Sequence, residues 1–187
     1  TIADFNGDGH LDVATADEDP FAPGATIVLG AGNGQPLAVK TFEFSGAWSW
    51  IDAADFDDDG DLDLVLGGDG PWVAVAFNDG EGDLSAGPKF NLGFPSARGV
   101  CARDFDGDGF QDFAVGEDPP GFLVFLGDGA GGFAPSVGTE SVGGRGLAAA
   151  DFDRDGVLDL AVTDYNGRLA VNLGLGDGSF GPATLLM

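Results

Sequence analysis

Apolar residues run along this chain in short bursts, each closed within a few positions by glycine, aspartate, asparagine or proline. In the last quarter GLAAADF is a run of small residues, VLDLAVTD alternates apolar with polar positions, and RLAVNLGLG and SFGPATLLM follow. Period-two alternation between turn-forming residues predicts strands, because successive side chains of a strand point to opposite faces. No stretch of about 11 residues carries a 3.6-residue apolar period free of glycine or proline, so no helix is predicted. The 34 Gly and 10 Pro among 187 residues point the same way, since both types interrupt helices.

The bursts repeat. Four acidic segments align, DFNGDGHLD from Asp4, DFDDDGDLD from Asp55, DFDGDGFQD from Asp104 and DFDRDGVLD from Asp151, spaced by 51, 49 and 47 residues. A glycine-rich turn (GNGQ, GEGD, GAGG, GDGS) follows each in register and places Gly34, Gly82, Gly131 and Gly178 30 residues after the leading Asp in the first unit and 27 in the others. The extra residues of the first unit fall within DEDPFAPGA. Each unit reads as four short antiparallel strands, so the expected fold is all-β. It is a single β-propeller domain over 1–187, with four-stranded blades at approximately 1–46, 47–96, 97–143 and 144–187. A β-sandwich with accidental internal similarity is the alternative, and two motifs in matched register in four copies count against it. Closure is left open between a four-bladed ring and part of a larger one. The first unit has only Thr1, Ile2 and Ala3 ahead of its acidic segment, where the others have a full inner strand.

Composition adds a core and a charge problem. With 43% apolar residues and 16 Phe, the chain is too apolar to stay disordered. Phe5, Phe56, Phe105 and Phe152 each follow the leading Asp of a unit and are expected to pack in the core. Thirty-two acidic residues against seven basic ones give a net charge of −25, which repels phosphate backbones and excludes a nucleic-acid partner. The same charge strains a compact fold through self-repulsion unless cations neutralise it. Cys101 is the only cysteine, so no intrachain disulfide forms, and within VCA it is expected to act as a small core hydrophobe. No apolar run approaches 18 residues and the N-terminal TIADF lacks the features of a signal peptide. No membrane insertion is expected, and a secretion signal or anchor is expected to lie outside this chain.

The acidic segments point to calcium. Oxygen-bearing side chains stand at positions 1, 3, 5 and 9 of each: Asp4, Asn6, Asp8 and Asp12; Asp55, Asp57, Asp59 and Asp63; Asp104, Asp106, Asp108 and Asp112; Asp151, Asp153, Asp155 and Asp159. Position 6 is always glycine, which allows a sharp turn around an ion. Position 7 is His10, Asp61, Phe110 or Val157, the scatter allowed where only a backbone carbonyl is a ligand. Five or six oxygens at this spacing suit Ca²⁺, whereas zinc or copper favours His or thiolate. About four ions are expected, one per repeat. Position 12 is Thr15, Leu66, Val115 or Val162 rather than the bidentate Glu of an EF-hand, and the flanks are strands, so the position-9 carboxylate takes the closing role.

The DFxxDGxxD segments, with the downstream VNLGLGDGSFGPA and FLVFLGDGAGGFAP, resemble FG-GAP/VCBS repeats, the blades of propellers like those of integrin α-subunits. The resemblance covers nearly all of the chain. It implies a calcium-stabilised extracellular propeller, usually of seven blades, that serves adhesion or recognises carbohydrate or protein. With four units here, a fragment, a four-bladed ring, and two copies joining into a larger ring all remain open.

In a four-stranded meander the acidic loop and the glycine-rich turn share one side of the blade, and the remaining connections share the other. Recognition is expected on that second, more variable side. Trp48, Trp50 and Trp72 in the second unit lean toward it and form a candidate ligand platform, unless they fill the wedge between blades. Arg98 and Arg145 occupy one column near it and are candidates for a carboxylate ligand. Asp17, Glu18 and Asp19 could form an acidic pair for glycoside chemistry but read as a solvated loop. His10 is the chain's single histidine, no nucleotide loop is present, and most carboxylates are committed to metal. The expected function is therefore a non-catalytic, calcium-stabilised extracellular binding module for carbohydrate or protein. A polysaccharide lyase or hydrolase propeller, or a purely structural one, is the alternative.

Overall fold

The computed structural model describes residues 1–18, 24–117, 121–136 and 138–186. Among them every regular element is a strand. The first meander is β1 (Ile2–Ala3), β2 (Asp12–Asp17), β3 (Gly24–Gly30) and β4 (Pro36–Glu43), paired antiparallel in that order. The second is β5 (Trp48–Ala54), β6 (Asp63–Gly68), β7 (Trp72–Asn78) and β8 (Leu84–Asn91). The third is β9 (Ala97–Arg103), β10 (Asp112–Glu117) and β11 (Gly121–Gly127), with an outer strand split into β12 (Phe133–Pro135) and β13 (Thr139–Glu140). The fourth is β14 (Gly146–Ala150), β15 (Asp159–Thr163), β16 (Leu169–Asn172) and β17 (Thr184–Leu185). A single pair, Gly68 with Ala97, joins the second and third sheets.

The blades stack through their faces. The acidic loop separates the first two strands of each meander, so the phenylalanine at loop position 2 is carried to the blade face and buried against the next unit. Phe5 packs with Leu64 and Leu66, Phe56 with Phe113 and Val115, and Phe105 with Leu160 and Val162. Phe113 sits at the centre of an aromatic group, stacked on Phe125 at 4.8 Å and edge-on to Phe56 at 6.1 Å. Cys101 is buried in the core between the third and fourth blades, as expected from its setting.

Among the described residues the outer faces of the first and last blades are uncovered. Strands β6 and β10 are buried at every residue, whereas β2 alternates buried with exposed positions. Phe152 departs from its expected packing role: it is 49% exposed where Phe5, Phe56 and Phe105 are at most 3% exposed. Among the described residues no blade covers it. Ile2, Leu11, Val13, Leu37 and Val39 lie exposed on the first blade. The glycine-rich turns report the same thing from the other side. A side chain at Gly82, Gly131 or Gly178 would meet Leu29, Phe77 or Leu126 of the preceding blade, while at Gly34 it would meet nothing within 4 Å.

Candidate functional site

The four acidic loops share one hydrogen-bond scheme. The position-1 carboxylate accepts the amide of the position-6 glycine: Asp4 from Gly9 at 2.8 Å, and Asp55, Asp104 and Asp151 from Gly60, Gly109 and Gly156 at 3.0 Å. The position-5 carboxylate accepts the amide of position 7, from His10, Asp61, Phe110 and Val157, at 2.8–2.9 Å. These local bonds curl the backbone so that side-chain oxygens turn inward.

Position 9 does something the sequence did not reveal. Asp12, Asp63, Asp112 and Asp159 are buried, and each accepts two backbone amides. One comes from the phenylalanine at loop position 2 at 2.7–2.9 Å, and the other from the third strand or its end, Gly30, Asn78, Gly127 or Gly174, also at 2.7–2.9 Å. The carboxylate therefore ties the loop to a strand 15 to 18 residues away. Position 7 is explained too. Its side chain lies against the first glycine of the glycine-rich turn, His10 on Gly32, Asp61 on Gly80, Phe110 on Gly129 and Val157 on Gly176, so only its backbone is left to face the loop. All four glycines have φ between 67° and 80°.

What remains of the carboxylates converges. Oxygens of Asp55, Asp57 and Asp63 lie within 4.8 Å of one another, as do those of Asp104, Asp106 and Asp108 and those of Asp151, Asp153 and Asp159. In the first loop Asn6 replaces one acid and its amide donates to Asp8 at 3.2 Å. Asp4 Oδ1 and Asp57 Oδ1 are buried with no hydrogen-bond partner among the described residues. Burial, then the neighbouring Asp59 and Asp55, push the Asp57 carboxyl above its ordinary range. Asp106 is raised by burial and by the Asp108 and Asp104 charges, and burial pushes Asp63 to about 7 and Asp112 to about 6. Orphaned, mutually repelling oxygens at this density fit a divalent cation held by Asp and Asn side chains and a position-7 carbonyl.

A pH dependence follows for the metal-free protein. A carboxyl whose folded-state pKa exceeds its unfolded value binds its proton more tightly when folded, so its stabilising effect is whole below about pH 4 and is lost as the pH rises through its folded pKa. For Asp63 and Asp112 that window ends at about 7 and about 6. In chelator, the thermal midpoint is expected to fall between pH 5 and pH 7.5, and a flat or rising midpoint would contradict the burial of these groups.

Loop position 4 carries a strain absent from the expected ligand pattern. Asp58 and Arg154 adopt φ of 58° and 67°, while the equivalent Gly7 and Gly107 adopt 67° and 76°. The left-handed region costs a side-chain-bearing residue about 1 kcal/mol or more. Arg154→Gly is therefore expected to raise stability by up to about 1 kcal/mol in denaturant melts, after offsetting the glycine's greater unfolded-state entropy. The presence of glycine at this position in two copies was the available signal.

On the opposite side the tryptophans form no shared platform. Trp48 is 1% exposed and donates its Nε1–H to the Phe44 carbonyl at 2.8 Å, so its ring is unavailable to a ligand. Lys89 places its ammonium 4.9 Å from the Trp72 ring and 5.2 Å from that of Trp48, and donates to Ser45 O at 2.6 Å. Trp50 is half-buried opposite Gly67. Arg98 and Arg145, in contrast, are brought together over the Tyr165 ring, at 4.9 and 4.0 Å. Glu18 accepts a hydrogen bond from Ser49, and Asp19 lies outside the described residues.

No curated protein matches the sequence. Among solved structures the chain is similar to BBS1N, from a crystal structure of BBS1N in complex with ARL6DN soaked with lead, at 16% identity and a TM-score of 0.69. The match covers all of this chain and 55% of that one, so the chain spans about half the length of its structural relative. At that identity the likeness speaks for the propeller fold alone. The family model of the FG-GAP-like repeat matches three overlapping windows, residues 4–66, 55–115 and 104–162, each running from one acidic loop through the strand after the next. Repeated acidic loops, four-stranded meanders and a family match over most of its length together place this chain among the FG-GAP-like repeat proteins, folded as a β-propeller.

Proposed function

We propose that the protein is a non-catalytic, calcium-stabilised binding module that works outside the cell and recognises carbohydrate or protein. The buried, unpartnered Asp4 Oδ1 and Asp57 Oδ1 carry the calcium part, because an oxygen left without a donor in a crowd of carboxylates is stabilised by a hard cation. About one ion per repeat is expected, at the millimolar calcium levels found extracellularly. The absence of a second histidine or a nucleophile set, with acids tied into loop hydrogen bonds, supports binding rather than catalysis.

Calcium counting by native mass spectrometry tests the reading. The wild-type chain should carry about four ions, and Asp108→Ala, which removes one converging oxygen, should carry one fewer. Asp112→Ala serves as contrast. It strands the Phe105 and Gly127 amides and is expected to cost about 2–6 kcal/mol even in chelator, where Asp108→Ala should cost little, at about 1–3 kcal/mol per orphaned group. Retention of every ion by Asp108→Ala would defeat the assignment.

A further role is favoured by Phe152. Its exposure, with that of Leu173 on the last blade and Leu11 and Val13 on the first, supports completion of a larger ring by a second copy. The groove beside Leu11 and Val13 has a volume of about 600 Å³ and stands where the other blades receive a phenylalanine. The same mass spectra count subunits: a dimer that Phe152→Asp converts to monomer supports the role, and a monomer at every concentration excludes it.

A further inference from the structure

A cavity between the third and fourth blades, at the ends of the strands away from the acidic loops, differs in charge from the rest of the molecule. It has a volume of about 240 Å³ and its walls include Arg98, Glu117, Arg145, Asp164, Tyr165 and Arg168. Three of the chain's seven basic residues therefore converge on one small space in a molecule of net charge −25.

Two of the three cations are paired. Arg98 meets Asp69 at 2.7 Å, and Arg168 meets Asp164 at 2.6 Å. Burial opposes the charge on Asp164, but hydrogen bonds from the Arg168 backbone and side chain and from Asn166 hold its carboxyl down at about 2, so that pair persists at any physiological pH. Arg145 has no carboxylate partner among the described residues. Its guanidinium lies 4.0 Å from the centre of the Tyr165 ring, which orients it without neutralising it.

Glu117 is the complementary group. It is buried, and its Oε1 has no hydrogen-bond partner among the described residues. Its backbone oxygen accepts the amide of Gly144 at 3.3 Å, which sets it beside the residue preceding Arg145. A side chain at Gly144 would meet Gly116 Cα at 2.5 Å, so the blades meet here as bare backbone. A buried acceptor without a donor and a guanidinium without an anion, in one cavity, are satisfied together by a ligand that carries both a carboxylate and a hydroxyl.

We infer that this cavity binds a sugar acid of the hexuronate type, its carboxylate on Arg145 and a ring hydroxyl donating to Glu117 Oε1. The volume is below the roughly 300–1,000 Å³ of sites for drug-sized ligands and suits a single sugar ring. Charge favours an anion over a zwitterion such as an amino acid. Asp69 and Asp164 offset Arg98 and Arg168, which leaves Arg145 against a Glu117 carboxyl that burial raises to about 7 and keeps only part-ionised, and a ligand without net charge gains nothing from that excess. The inference rests on the binding-module reading and gives it a site and a ligand class.

The test is a calorimetric or NMR titration of the calcium-loaded full chain with D-glucuronate and D-galacturonate, with D-glucose and L-alanine as controls. At least one uronate should bind about tenfold or more tighter than glucose or alanine, and Arg145→Gln should remove that advantage while leaving the thermal midpoint unchanged. Glu117→Gln keeps an acceptor for a hydroxyl and should retain most of the uronate affinity, whereas Glu117→Leu should lose it. Equal binding of glucose, stronger binding of alanine, no binding of either uronate, or an unaffected Arg145→Gln would each overturn the inference. A neutral oligosaccharide or protein ligand whose binding ignores Arg145→Gln would leave the binding-module reading standing without this site.

Discussion

Removing calcium with a chelator at pH 7.5 should lower the thermal midpoint of this protein by about 3–20 °C. Sites of extracellular type, with Kd of about 0.1–1 mM, each contribute about 0.4–1.4 kcal/mol at about 1 mM Ca²⁺. Four of them sum to about 2–6 kcal/mol, and for a chain of this size 1 kcal/mol moves the midpoint by about 2–4 °C. The effect is large because the loops are not peripheral. Each position-9 carboxylate holds both its own loop and the third strand, so a loop that repels itself open loosens the blade to which it is tied. The shift should shrink toward pH 5, where the raised carboxyls of Asp63 and Asp112 take up protons in place of the ion. A midpoint indifferent to chelator at pH 7.5, measured by differential scanning calorimetry, would remove calcium from the account of stability.

The second large effect separates two residues that look alike in sequence. Phe56 and Phe152 both follow the leading Asp of a repeat, yet Phe56 is fully buried against Phe113 and Phe133 and Phe152 is half exposed. Phe56→Ala should cost about 3–5 kcal/mol, the transfer of a ring plus the cavity it leaves. Phe152→Ala should cost under about 1 kcal/mol in the monomeric chain, because little surface is returned to water. Urea melts of the two variants decide the matter. Equal losses would mean that the last blade is covered by something that the exposure of Phe152 and Leu173 does not show.

The inner scheme of the acidic loops could be read in the chain because it is local. Positions 1, 5, 6 and 7 bond within a few residues of one another, so a spacing of oxygens around an invariant glycine was enough to place them. The strands were legible for the same reason, as a short apolar or alternating burst between turn residues makes itself known over six or seven positions. The strain at Asp58 and Arg154 was missed, although glycine in the other two copies marked that position.

The sequence by itself determined the repeat, the strand content and the clustering of carboxylates, since each depends on neighbours along the chain. Tertiary structure alone decided the rest. Asp12, Asp63, Asp112 and Asp159 became cross-strand ties because their second partners are delivered by the third strand. Trp48 was withdrawn from a ligand by burial and by its bond to the Phe44 carbonyl, while Trp72 stays 38% exposed beside Lys89 of the neighbouring strand. Arg145 and Glu117 line one cavity where Gly116 and Gly144 let two blades approach backbone to backbone. Phe152 shows the limit most plainly. Its four-fold equivalence in sequence is broken by position in the stack, because burial belongs to the neighbour that covers a side chain and no residue specifies its own neighbour.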